Sequence, residues 1–513
     1  MSVLLHELLT RAAATHPDHP ALIDGDRTFT YRELDEWSNH LARQLRQGGV
    51  RAGDRVGVHL DKSAEAVAGI YGALKAGAAY VPLDPDAPAR RLRVIAADSA
   101  MSALLTGGRQ ASAREPFHTG LPDLRFVINL DGTAERAGTS AAPPEADARG
   151  DRDRLAYLLY TSGSTGTPKG VALSHGNGLA FVEWAVREFG LAPTDRVSSH
   201  APLHFDLSVF DLFATAAGAA TLVLVPKRAS VFLPELVEFI QRRRLTVWYS
   251  VPSVLTMMVR RGQLTAGCFP DLRLVLFAGE VMPPATLRRL MWVAPGARFV
   301  NLYGPTETNV CTWHEVRQAP QDDEPIPIGR AVDGVETFVV SDDGGLVDVG
   351  QAGELLVAGP TVMRGYWNDP ESTASALVTS PAPGAWPTAY RTGDLVRLGT
   401  GGEHHFIGRR DHQVKSRGHR IELGEIEAVI RSHPAVAECA VVPVADEEVT
   451  NRLWACVVPD GELEPATIAA LCRERLPRYM VPDRLELFDE LPRTSTGKTD
   501  RQALHASLLR VPA

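Results

Sequence analysis

The sequence predicts an α/β protein built as a large, multilayered α/β domain over residues 1–410 and a small, mobile α+β domain over residues 411–513. Three observations carry that prediction. Short apolar runs alternate with helix-period segments along most of the chain, the pattern of sheets covered by helices. At 513 residues the chain exceeds what one hydrophobic core fills. Near residue 410 the dense charged run GRRDHQVKSRGHR separates two apolar segments, and the boundary is placed at Asp411.

The elements follow in order. MSVLLHELLTRAAATHP carries His6 and Glu7 inside its apolar run and reads as an amphipathic helix, not a signal peptide. Thr30 and Glu33 have capping-box spacing and open a helix through LDEWSNHLARQLR. AEAVAGIYGALKAG has small and apolar residues on nearly every face, so it should be a buried helix. LAYLLY (155–160) and RLVLFAG (273–279) suit buried strands, and VALSH resumes a strand pattern. TAERAGTSAAPPEADARGDRDR and TSPAPGAWPT are rich in Pro, Ala, Ser and charge, and are expected to be mobile. Beyond residue 411, IELGEIEAVIRSH, AVAECAVVPV, LWACVVP and IAALCRERL read as helix, strand, strand and helix.

Composition excludes several functions. A net charge of −9 argues against a nucleic-acid protein, whose affinity comes from cationic neutralisation of phosphates. Five well-separated cysteines with no CxxC suggest neither a zinc site nor a disulfide framework, and a cytoplasmic setting fits. No window approaches the roughly 18 uninterrupted apolar residues of a membrane span.

The stretch YTSGSTGTPKG (160–170) invites a phosphate. Gly163, Gly166 and Gly170 let successive N–H groups converge, hydroxyls add neutral donors, and Lys169 supplies a point charge. The P-loop pattern itself fails, because Pro168 precedes Lys169 and Gly170 follows it. Taken alone, such a loop is more often an exposed connection. With LAYLLYTSGSTGTPKG stand FTYREL, KAGAAYVPLDP, FDLS, NLYGPTE, GELLVAGPTVMRGYW, YRTGDLVR, GRRDHQVKSRGHRIELGEIE, LPRYMVP and PRTSTGK. This series, covering essentially the whole chain, resembles the adenylate-forming superfamily, and its synthetase-type adenylation domains most closely.

The resemblance implies the acyl-adenylate synthetase fold and a two-step ligase: ATP and Mg²⁺ activate a carboxylate as its adenylate, and a thiol then displaces AMP. It assigns the β- and γ-phosphates to Thr161, Ser162, Gly163, Ser164, Thr165, Gly166 and Lys169. Tyr303 would stack on adenine, Thr306 would help bind ATP, Asp394 and Arg409 would hold the ribose, and Glu307 would bind Mg²⁺. Lys498 would bridge the attacking carboxylate and the α-phosphate, where charge builds up in the transition state. Asp411 would be the hinge about which the small domain rotates, exchanging Lys498 for the loop around Gly418. Without the resemblance, Lys498 reads as a surface charge and Asp394 as turn chemistry.

The same resemblance makes Asp206 the partner of a substrate α-ammonium, since a desolvated carboxylate requires a cation. The other implied pocket residues are Leu207, Phe210, Tyr249, Leu276, Ala278, Leu302, Val310 and Cys311. Such residues could equally be core. As a pocket they offer one hydroxyl and no charge, which leaves proline, valine or an alanine-sized substrate open. With Asp206 and Lys498 the set resembles that of stand-alone L-prolyl adenylating enzymes of pyrrole-forming antibiotic pathways, although Phe210 replaces an expected Leu. No carrier segment follows Lys498 in this chain. The acceptor is therefore expected to be the phosphopantetheine of a separate carrier protein, with coenzyme A as the alternative.

Overall fold

The computed structural model describes residues 3–111, 117–133, 151–163, 166–382, 384, 386–411, 413–493 and 499–508. Among them, two large sheets sandwich a common helical core. The nine-stranded sheet is parallel through its centre: Pro20–Asp24, Thr221–Leu224, Arg196–Ser199, Val247–Ser250, Leu274–Ala278 and Arg298–Tyr303 follow one another across it. The seven-stranded sheet places Leu155–Thr161 between Ala79–Pro82 and Lys169–Ser174. A third, antiparallel sheet is built on Thr388–Leu398 and includes His404–Arg409.

The helices between the large sheets match their sequence signals. Thr30 Oγ1 accepts from Glu33 N, and Glu33 answers to Thr30 N at 2.7 Å, so both free donors at the start of helix Tyr31–Gln47 are satisfied. Helix Ala64–Lys75 is buried on every face except at Glu65. Its last residue, Lys75, is 7% exposed, yet its ammonium donates to Asp35, Ser38 and Asn39. That full set of partners is what makes a charge tolerable in the core. Leu5–Thr15 forms the expected amphipathic N-terminal helix, with Leu5, Leu8, Leu9 and Ala12 buried.

The C-terminal region has a core of its own around Ile426, Val441, Ala455 and Ile468. It contains the hairpin Gln413–Ser416/His419–Glu422, helix Leu423–Arg431, paired strands Val436–Asp446 and Thr450–Pro459, and helix Pro465–Arg475. The helix, strand, strand and helix expected there are present. Of the first segment expected to be mobile, 133–154, residues 134–150 lie outside the described residues, while Thr133 Oγ1 donates to Leu130 O and Arg154 N to Asp151 O. The described part of the other joins Leu377–Thr379 to Thr388–Leu398, with Ser380 N on Pro387 O and Trp386 Nε1 on Gly334 O. Among the described residues no helix is long and apolar enough to cross a membrane.

Candidate active site

In open parallel sheets, ligands bind beyond the carboxyl ends of the strands. A cavity of about 110 Å³ opens there in the nine-stranded sheet. Tyr249 lies opposite Leu276, and Ala278 opposite Leu302, so all four point to one face. Asp206, Leu207, Tyr249, Ala278 and Val310 line the cavity. Phe210, Leu276, Leu302 and Cys311 do not reach it; they are buried behind the lining and shape it through their neighbours. The Phe210 ring meets Tyr249 edge-on at 5.4 Å, and Cys311 Sγ donates to Tyr303 O at 3.5 Å. After Asp206 the short helix Leu207–Val209 gives way at Phe210 to a π-turn, Phe210–Ala214. Such turns are rare and cluster at functional sites.

Asp206 Oδ2 accepts a hydrogen bond from Thr306 Oγ1 at 2.9 Å. Thr306, expected on the nucleotide, thus also holds the Asp206 side chain. Among the described residues Asp206 has no ion-pair partner. The protein packed around it raises its pKa, against the opposing pull of the Thr306 hydroxyl.

The neighbouring carboxylates are densely paired. Glu307 is fully buried; its carboxylate accepts from Tyr366 Oη at 2.7 Å and from Arg420 Nη1 at 2.6 Å. Burial alone would raise the Glu307 pKa, but the Arg420 charge and the tyrosine hydroxyl outweigh it, and the net shift is downward. Asp394 accepts from Tyr303 Oη and, at 2.6 Å, from Arg409 Nη1; Arg409 also pairs with Asp411 at 2.6 Å.

The described part of the glycine-rich loop rests on the C-terminal hairpin. Ser162 Oγ donates to Arg420 O at 2.9 Å and accepts from Glu422 N at 3.2 Å. A Cβ on Gly163 would stand 2.0 Å from Thr167 O, so no larger residue permits this closure. Gly166 turns with φ +84°, and Lys169 Nζ donates to Ser372 Oγ at 2.7 Å. Ser164, Thr165 and Lys498 lie outside the described residues.

Residues 9–367 match the family model described as AMP-binding enzyme, and residues 425–498 match the AMP-binding enzyme C-terminal domain. The chain belongs to this family. It is 41% identical over 511 residues to an L-proline--[L-prolyl-carrier protein] ligase of Pseudomonas fluorescens, covering 98% of each chain. A Streptomyces coelicolor protein of the same name is 40% identical over 511 residues, with 96% of this chain and 94% of the relative covered. Among solved structures, a Vibrio cholerae adenylation domain in complex with glycyl-adenosine-5'-phosphate superposes with a TM-score of 0.85 at 28% identity, over 99% of this chain and 98% of that one. The fold is accordingly the acyl-adenylate synthetase fold expected from the sequence.

In this AMP-binding enzyme Glu280, Tyr366, Lys415 and Arg420 also stand at the site, and the sequence reading gave them no role. Gly418 N donates to Glu280 Oε1 at 2.6 Å, while Glu280 Oε2 holds Ser253 N at 2.8 Å. Gly418 has φ +79°, and a Cβ there would meet Val251 at 2.9 Å, so the hairpin tip approaches the cleft only as glycine. Lys415 lines the cavity with its ammonium 5.9 Å from the centre of the Tyr303 ring, and burial lowers its pKa. Tyr366, Lys415 and Arg420 stand inside motifs already singled out, GYW and QVKSRGHR, and position in those motifs was the available signal. Glu280 directly follows the glycine that ends its strand.

Proposed function

We propose that this AMP-binding enzyme activates L-proline as prolyl-AMP and transfers the prolyl group to the phosphopantetheine thiol of a carrier protein. The observation that carries the reading is Asp206: a carboxylate on a cavity of about 110 Å³ that accepts from the Thr306 hydroxyl and has no ion-pair partner among the described residues. A substrate ammonium supplies the missing charge. Tyr249, Ala278 and Val310 leave room for a compact apolar ring, and the two relatives at 40–41% identity are named for proline.

In the first step, a proline carboxylate oxygen attacks the α-phosphorus of ATP. The bond from that phosphorus to the β-bridging oxygen breaks, and pyrophosphate leaves. Such chemistry needs positioning and charge neutralisation more than covalent help. The loop at 161–169 holds the leaving phosphates, Tyr303 and Asp394 hold the nucleoside with Arg409, and Lys498 neutralises the reacting oxygens. Glu307 suits Mg²⁺: it is a buried, ionised oxygen ligand whose present cation, Arg420, belongs to the C-terminal region and can leave with it. Bound there, the ion would offset phosphate charge. In the second step the acceptor thiol, losing its proton, attacks the prolyl carbonyl carbon, and AMP departs with the electrons of the C–O bond.

The domain boundary at Asp411 belongs to the same proposal. With Gly418 docked on Glu280 and Lys415 in the cleft, the arrangement described corresponds to the thiol-transfer state. Adenylation then requires the C-terminal domain to turn about Asp411 and bring in Lys498. ATP–pyrophosphate exchange across the twenty amino acids tests the substrate. Proline should dominate, with valine and alanine weaker because an apolar pocket separates near neighbours by only about 10–200-fold. Exchange driven by valine with proline inert would refute the assignment. Transfer to coenzyme A in preference to a carrier protein would refute the acceptor.

A further inference from the structure

Strand Arg196–Ser199 leads into the segment that ends at Asp206, and two side chains hold that segment. Near its end, Ser208 Oγ lies 2.6 Å from Phe205 O and 3.1 Å from Leu203 O, one hydroxyl shared between two carbonyls. At its start, Lys62 Nζ donates to Ser199 O, and to His200 O and Ala201 O at 2.8 and 3.4 Å. Lys62 follows strand Arg55–His59 of the seven-stranded sheet, so its ammonium ties that sheet to the end of a strand in the nine-stranded one. An ammonium has three N–H donors and no acceptor. These carbonyls engage all three, and none is left for a ligand.

An ammonium drawn out of water needs an opposite charge close by. Asp211 supplies it from the π-turn that follows Asp206. The Asp211 side chain is fully buried, and neither carboxylate oxygen meets hydrogen-bond geometry with a described residue. Burial raises its pKa, while the Lys62 charge and the Ser199 hydroxyl pull it back. Burial likewise lowers Lys62, to about 8, against the attraction of Asp211. Ser199–Ala201 and Asp211 flank Asp206 in the chain, and both sides are thus bound to one lysine from the other sheet.

Resting on the reading that Asp206 receives the substrate ammonium, we propose that Lys62 is a positioning residue for Asp206. By gathering the three carbonyls it fixes where the strand-end segment delivers the Asp206 carboxylate, and Asp211 supplies the charge that lets an ammonium stand there. Charge-assisted bonds are the stronger kind, and three at one point leave the segment little freedom. Lys62 touches no substrate; its effect reaches the amino acid only through Asp206.

The test measures pyrophosphate exchange by the whole enzyme, with separate KM values for the amino acid and for ATP, beside the thermal midpoint. Lys62→Met should raise the amino-acid KM about tenfold, the scale of a slightly misplaced binding group, and leave the ATP KM near that of the unaltered enzyme. It should also lower the midpoint, because it strands the Asp211 carboxylate. The double variant Lys62→Met/Asp211→Asn removes both charges and should recover the midpoint, while its amino-acid KM stays raised. If Lys62→Met does not fold, the double variant gives the reading. An unchanged amino-acid KM would overturn the proposal, as would an equal rise in both KM values or recovery of the amino-acid KM in the double variant. In an Asp206→Asn background, Lys62→Met should leave the residual amino-acid KM where it stands; an undiminished tenfold rise there would refute the route through Asp206. All values are read with whichever amino acid drives exchange, so inert proline would count against the substrate reading alone.

Discussion

Asp206 and Glu307 are neighbouring carboxylates, the first bonded to Thr306 and the second next to that threonine in the chain, and their surroundings treat them in opposite ways. Asp206 has a threonine hydroxyl and, among the described residues, no ion-pair partner, and its pKa is raised by burial. Glu307 is the more deeply buried, yet it holds Arg420 and Tyr366 and its pKa is lowered. Burial alone would push both the same way. The difference lies in the cation: Glu307 has Arg420 of the C-terminal region, and on the proposed reading the substrate ammonium is the partner of Asp206.

Four experiments break or sharpen that contrast. The largest effect is expected from Lys498→Ala, which should lower exchange about a thousandfold, as loss of a transition-state charge partner does, while sparing transfer from preformed prolyl-adenylate. Equal loss in both half-reactions would contradict the moving domain. Next, Asp206→Asn should lower proline-dependent exchange roughly a hundredfold or more, the cost of removing one member of an enclosed charge pair. Arg420→Ala strands Glu307 in the docked arrangement and should slow transfer about tenfold, with less effect on exchange, because an unpaired buried carboxylate disfavours that state. Single-turnover transfer assays would show the split.

The smallest effect concerns stability, and its sign is opposite to that on activity. With its pKa raised, folded Asp206 keeps its proton to higher pH than in the unfolded chain. Its ionised form therefore costs stability above that pKa and costs nothing below the ordinary Asp value. Asp206→Asn should stabilise the ligand-free enzyme by about 1 kcal/mol at pH 7, and the gain should vanish as the pH falls through the raised pKa toward the normal Asp range. Denaturant unfolding at the two pH values measures it.

Much of this was legible in the residue string because it is local. The Thr30–Glu33 cap, the buried helix Ala64–Lys75 and the strands on either side of the glycine-rich loop each follow from a few adjacent residues. The pocket was half legible. Asp206, Leu207, Tyr249, Ala278 and Val310 line it, but Phe210 turns away at a π-turn that no spacing rule foresees. Pairings across the cleft left no sequence pattern at all. Arg420 and Glu307 are 113 residues apart, Gly418 and Glu280 are 138 apart, and only the folded chain brings them together. The Thr306–Asp206 bond, 100 residues apart, is likewise visible only in the folded chain.

The central claim is that Asp206 waits for a substrate cation. Exchange should therefore be measured side by side with L-proline and with tetrahydrofuran-2-carboxylic acid, the same ring and carboxylate with oxygen in place of the ammonium nitrogen. The account predicts strong exchange with proline, almost none with the oxygen analogue, and a narrowed gap in Asp206→Asn. Comparable exchange with both acids in the unaltered enzyme would contradict it.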